Sequence, residues 1–90
     1  MPRYLVERQF PQGLRIPVDA AGARICRTVV ASNLEEGVTW VHSYVSSDKK
    51  RTFCVYDGPT PEAIRRAADR NQQPVQAITE VHILDPYFYL

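Results

Sequence analysis

Two runs of β-branched and aromatic residues stand out along the chain, Val38-Thr39-Trp40-Val41-His42-Ser43-Tyr44-Val45 and Thr52-Phe53-Cys54-Val55-Tyr56. Such runs suit the strands of a half-buried sheet. The polar stretch Ser46-Ser47-Asp48-Lys49-Lys50-Arg51 between them is short enough to close a hairpin. Upstream, Tyr4-Leu5-Val6-Glu7-Arg8-Gln9-Phe10 reads as a first strand, stopped by Pro11 and Gly13. A proline-punctuated loop from Pro11 to Val18 then leads to Asp19, a good helix N-cap. From Ala20 to Asn33 the spacing predicts a helix whose apolar stripe is Ile25, Cys26, Val29, Val30 and Leu34, closed by Asn33 and Gly37.

Downstream of the hairpin, Asp57-Gly58-Pro59-Thr60-Pro61-Glu62 is a compact helix start. Thr60 can cap, Pro61 suits the first helical position, and Glu62 faces the positive end of the helix dipole. This second helix is expected to run through Ile64, Ala67 and Ala68 to about Asn71, and Pro74 bars its return. Val75 to Leu84 reads as a last strand. The order β-α-β-β-α-β is the ferredoxin-like plan: an α+β sandwich with both helices on one face of an antiparallel sheet ordered 4-1-3-2. A single domain over residues 1–90 is expected, with residues 85–90 an aromatic tail that forms an extra edge strand or a dimer contact. The plan leaves one sheet face open, and Trp40, Tyr44 or Tyr56 on that face would make an exposed apolar patch. A homodimer through the open face or through the tail is therefore expected.

Composition narrows the picture. Ninety residues with 44% hydrophobic content suffice for one small core. The formal charge of +1 offers no strong field to nucleic acid or an anionic membrane, so neither is expected as a partner. No apolar run approaches the ~20 residues of a membrane span, and Met1-Pro2-Arg3 does not open a signal peptide. A cytoplasmic location follows as the expectation, with Cys26 and Cys54 as free thiols in a reducing compartment.

Chemistry concentrates in the hairpin, where an imidazole and a thiol, both suited to a borderline-soft metal, lie close in sequence. Alternation puts Trp40, His42 and Tyr44 on one face, and Thr52, Cys54 and Tyr56 on one face. A three-residue loop at Ser47-Asp48-Lys49 would pair His42 with Cys54, whereas a two-residue turn at Asp48-Lys49 would separate them. The first strand neighbours the third in this order, so Glu7 can join them, and Glu7, His42 and Cys54 plus water would suit nickel or zinc. Glu80 and His82 alternate on the last strand and make a second, weaker carboxylate–imidazole candidate. Each has a plain structural alternative. A strand His is commonly a hydrogen-bonded structural residue, a strand Cys a small buried hydrophobe, and Glu80 and His82 solvated groups on an edge. Cys26 is expected in the core.

Several blocks also carry a family resemblance. Pro2-Arg3-Tyr4-Leu5-Val6-Glu7-Arg8, Glu36-Gly37-Val38-Thr39-Trp40-Val41-His42-Ser43-Tyr44-Val45, Thr52-Phe53-Cys54-Val55-Tyr56, Thr79-Glu80-Val81 and Asp85-Pro86-Tyr87-Phe88-Tyr89 occur in order over nearly the whole chain. Together they resemble a family of small bacterial proteins long filed as a domain of unknown function, some of whose members are named nickel-binding proteins. The resemblance implies a ferredoxin-like dimer that binds or buffers nickel. The preference for nickel comes from the resemblance alone.

Two other classes compete. A small enzyme or small-ligand-binding dimer would use a pocket near His42, Tyr44 and Cys54, with His42 as general base. No orienting third group or cofactor motif accompanies them, and fold alone does not establish activity. RNA recognition on this fold needs aromatics of the third strand on one face. Phe53 and Tyr56 are three apart, which sends them to opposite faces.

Overall fold

The computed structural model describes residues 1–16 and 19–89, so the loop expectation at Pro17 and Val18 lies outside the described residues. The chain runs β1 (Arg3–Gln9), α1 (Ala20–Leu34), β2 (Thr39–Val45), β3 (Arg51–Asp57), α2 (Pro61–Arg70) and β4 (Ala77–Val81), followed by a short 3-10 turn at Pro86–Tyr89. The four strands form one sheet in the order β2-β3-β1-β4, with all three pairings antiparallel. This is the ferredoxin-like α+β arrangement with the expected strand order.

Local chemistry sets the element ends. The Asp19 carboxylate accepts from the N–H groups of Ala21 and Gly22 at 2.9 and 3.1 Å, and the Thr60 hydroxyl accepts from the Ala63 N–H at 3.1 Å. Each satisfies backbone donors that a helix start leaves orphaned. At the far end of α1 the N–H of Gly37 donates to the Leu34 carbonyl and that of Val38 to the Asn33 carbonyl, both at 3.0 Å. That paired closure needs a left-handed residue, and Gly37 supplies it with φ +69°.

Period-two alternation divides the sheet residues between two faces. Tyr4, Val6, Cys54 and Tyr56 point toward the helices and pack with Val38, Ala63, Ile64 and Ala67 into the core. Trp40, Val75 and Ile78 are half-buried at its border. Arg8 and Thr52 share this face and are also buried. On the opposite, open face lie Leu5, Glu7, Phe53 and Val55, with His42 beside Val55 and Tyr44 beside Phe53.

The predicted stripe of α1 is corrected in part. The inward positions are Gly22, Cys26, Val29 and Asn33, of which only Gly22 and Asn33 are fully buried. Ile25, Val30 and Leu34 flank that row and stay exposed. Asn33 is fixed by a bond that its side-chain oxygen accepts from the Asn71 amide at 3.0 Å, which ties α1 to the end of α2. The tail turns at Asp85, whose carboxylate accepts from the Tyr87 N–H at 3.0 Å, and residues 86–89 form a 3-10 turn rather than an extra edge strand. The Tyr87 side chain is exposed. The packing expected of the Phe88 and Tyr89 side chains and of Leu90 lies outside the described residues. No described helix is long and apolar enough to cross a membrane.

Candidate functional site

The hairpin decides which candidate ligands can meet. Its loop is wider than either simple alternative. Ser46 and Arg51 close it, with the Ser46 N–H donating to the Arg51 carbonyl at 2.9 Å and the Lys49 N–H to the Ser46 carbonyl at 2.8 Å. The Asp48 carboxylate accepts from the Ser46 hydroxyl at 2.6 Å and the Lys50 N–H at 3.0 Å, which hold its carboxyl below the usual range. Lys49 takes the left-handed conformation at φ 61°. From this loop the register runs Val45 to Thr52, Tyr44 to Phe53, Ser43 to Cys54 and His42 to Val55. His42 and Cys54 are thus on opposite faces, as the narrower of the two registers implied.

Beyond His42 the register shifts at Val41, and Trp40 pairs with Tyr56. A bulge adds one residue to one strand and so breaks the alternation. Trp40 therefore does not share a face with His42 and Tyr44. It turns to the helix side, where its indole N–H donates to the Ser43 hydroxyl at 2.8 Å. Of the three aromatics expected as an open patch, only Tyr44 lies on the open face, and Tyr56 is in the core. Tyr44 meets the His42 ring edge-on, with centroids 5.2 Å apart.

Glu7 is on the open face with His42, but β3 lies between their strands and they occupy neighbouring rows. Neighbouring strands are about 4.8 Å apart, so the two do not converge within one chain. Cys54 is buried on the helix face, its thiol 3.6 Å from the Thr52 hydroxyl. The expected grouping of Glu7, His42 and Cys54 is not assembled in the monomer. Glu80 and His82 do come together, with Nε2 of His82 3.5 Å from Oε2 of Glu80, both well exposed at the β4 edge. Among the described residues no group of three or more His, Cys, Asp or Glu side chains gathers around one point. Cys26 is half-buried and Cys54 buried, and both are free.

The open face otherwise carries charge at its margins. Arg3 and Asp57 form two parallel bonds across β1 and β3, at 2.8 and 3.1 Å, and this guanidinium holds the Asp57 carboxyl below its usual range. Arg51 stacks over Phe53 with its guanidinium 5.6 Å from the ring centre. Between them Leu5, Phe53, Val55 and Tyr44 form a contiguous apolar band.

On the helix face a cavity of about 410 Å³ opens at the hairpin end of the sheet. Its wall includes Trp40, Cys54, Tyr56 and Arg8, so the pocket anticipated near His42, Tyr44 and Cys54 lies on the Cys54 side only. Burial pushes the Tyr56 phenol up, partly opposed by the charge of Arg8. Sequence reasoning does not single out Arg8, although its period-two phase with Tyr4 and Val6 places it on the inward face.

A four-stranded antiparallel sheet with two helices on one face and an apolar band with an exposed imidazole on the other defines a ferredoxin-like α+β protein. Residues 4–81 match the family of nickel responsive proteins like SCO4226, and the chain belongs to that family. Among solved structures the crystal structure of SCO4226 from Streptomyces coelicolor A3(2) is similar, with a TM-score of 0.71 at 17% identity over 92% of this chain and 99% of that one. At that identity the likeness speaks for the fold. No curated protein sequence matches the chain.

Proposed function

We propose that this protein binds a divalent transition metal, nickel foremost, and sequesters or buffers the ion rather than turning over a substrate. The observation that carries the reading is the pair Glu80 and His82, with donor atoms 3.5 Å apart on an exposed strand edge. Bonds of about 2.1 Å from one ion to each donor fit that separation. Imidazole suits nickel as well as zinc, and membership of a nickel responsive family favours nickel. Two protein donors make half a site, so water or a second copy of the chain would supply the rest.

The same logic gives His42 a place. A homodimer through the apolar band of the open face would set His42 and Glu7 of one copy against those of the other. Separation across β3 would then no longer keep those donors apart. Cys54, facing the core, has no part in either arrangement. Free thiols at Cys26 and Cys54 accord with a cytoplasmic setting.

The test is calorimetric titration of metal-free, tag-free protein with nickel, zinc and cobalt, with light scattering to read the oligomeric state. His82→Ala is expected to weaken nickel binding by about tenfold or more, since even outer partners of a ligand cost about that much. If His42→Ala has the larger effect and the protein is a dimer, the open-face arrangement is the site instead. Absence of saturable binding of any of the three metals would sink the metal reading.

A further inference from the structure

The cavity on the helix face has the makings of a second, separate binding site. Arg8 projects from β1 beside Tyr4 and Val6 and is only 3% exposed. Its Nη2 donates to the Gln73 side-chain oxygen at 3.2 Å, and its guanidinium sits 5.6 Å from the centre of the Tyr56 ring. Among the described residues its buried Nε and Nη1 have no partner. The carboxylates that form ion pairs with guanidinium groups do so elsewhere, Asp57 with Arg3, and Glu35 and Glu36 with Arg70 and Arg66. A buried guanidinium lacking a counter-charge is costly, because its desolvation is not offset.

What surrounds Arg8 narrows the ligand. No carboxylate lines the cavity among the described residues, and Lys49 adds a second cation at its wall. The remaining wall is largely hydrocarbon and ring surface, from Phe10, Leu14 and Ile16 after β1 and Trp40 and Val45 on β2. The segment after β1 is pinned to the hairpin loop, with the N–H of Phe10 donating to the Lys50 carbonyl and that of Leu14 to the Lys49 carbonyl, both at 2.7 Å. A volume of about 410 Å³ is in the range of small-molecule sites.

We propose that this cavity binds an organic monocarboxylate with an apolar body, its carboxylate on the Arg8 guanidinium and its hydrocarbon against Trp40 and the Phe10–Ile16 segment. A carboxylate is favoured over a phosphate because Arg8 is the buried cation of the cavity, set in largely apolar walls with Lys49 exposed at the rim, and charge-assisted bonds from guanidinium to carboxylate are strong. The site is at the hairpin end of the sheet, away from Glu80 and His82 at the other end and on the opposite face from His42, so it is separate from the metal donors.

Trp40 is the single tryptophan of the chain and lines the cavity, so its fluorescence reports occupancy. Decanoate is titrated against its methyl ester, which keeps the body and removes the charge, on the wild-type protein and on Arg8→Met. The expected result is a saturable change of Trp40 emission with decanoate, at least about tenfold weaker with the ester and with Arg8→Met. Nickel binding of Arg8→Met is expected to match the wild type. No saturable response, or equal affinity for acid and ester, would overturn the proposal. Should Arg8→Met fail to fold, the acid–ester comparison on the wild-type chain still decides.

Discussion

The helix α2 is ten residues long and buries four of them, Ala63, Ile64, Ala67 and Ala68, whereas the fifteen-residue α1 buries only Gly22 and Asn33. Both lie on one face of one sheet. In α2 the buried residues follow helical spacing, and Ile64 is the one large side chain that joins three alanines in facing the core. In α1 the inward row is interrupted by a glycine and an asparagine, and Ile25, Val30 and Leu34 face outward. The first arrangement builds a core. The second packs α1 beside β2 and links it to α2 through the Asn33–Asn71 bond, and no described residue of α1 lines the cavity at the hairpin end. Burial is thus concentrated around α2, while the cavity at the hairpin end is walled by β1, β2 and β3 and by the segments after β1 and α2.

The sharpest way to break this comparison is a matched pair of substitutions. Ile64→Ala removes a side chain that is 1% exposed at the centre of the core. It is expected to cost about 2–5 kcal/mol, the range for emptying such a site. Val30→Ser on the exposed side of α1 is expected to change stability by less than about 0.5 kcal/mol. Urea denaturation followed by circular dichroism measures both. Similar losses from the two would mean that α1 is as deeply packed as α2, and the contrast would collapse.

How far these differences could be read beforehand depends on the residue. Thr60-Pro61-Glu62 and the alanines after it announce α2 plainly, since cap, first-turn proline and spacing agree. The hairpin strands and the sheet order were legible for the same reason: composition, turn residues and element order all point to one plan. The candidate site was far less so. Nothing in Trp40-Val41-His42 marks the bulge, because the strand keeps its β-branched and aromatic character through it, yet that one residue sends Trp40 and His42 to opposite faces. The loop was no clearer. Asp48 stabilises a wider turn by accepting bonds from Ser46 and Lys50, a contact that depends on three-dimensional closure. In α1 the apolar residues suggested one stripe, but the buried positions are Gly22 and Asn33, and the burial of a polar Asn33 depends on its bond to Asn71, far away in the chain. Arg8 was readable from its phase, but its missing counter-charge was not, since that depends on where every carboxylate ends up.

A smaller effect tests whether α1 opens on its own. Native-state hydrogen exchange is expected to show the α1 amides exchanging through local opening, well before those of α2 and β3. Asp19→Ala removes the acceptor of two N–H groups at the start of α1. Losing a cap costs about 1 kcal/mol, which speeds exchange along α1 by about fivefold while leaving the α2 amides unchanged. Thr60→Ala, the corresponding change on α2, is expected to act through global unfolding and to lower protection in α2, β1 and β3 together. A global loss from Asp19→Ala as well would show that the two helices belong to one cooperative unit.

The smallest effect concerns the charged links that hold each half from outside. Glu36, just beyond α1, accepts from Arg66 at 2.8 Å and from Arg70 at 3.1 Å, and these bonds, with Arg66 foremost, hold its carboxyl below the usual range. Asp57 is lowered in the same way by Arg3, on the open face of the sheet. Because both carboxyls are lowered on folding, their contributions are fully present above the ordinary carboxylate range of about 4. They are lost as pH falls through the lower folded values. The pairs are at the surface, so the effect is modest and weakens with salt. Glu36→Gln should flatten the acid dependence of α1 exchange without altering that of the β1–β3 amides, and Asp57→Asn should do the reverse. A shared response to either variant would mean that the link between the helices and the link across the strands report on the same opening, and the two halves would then differ in packing but not in cooperativity.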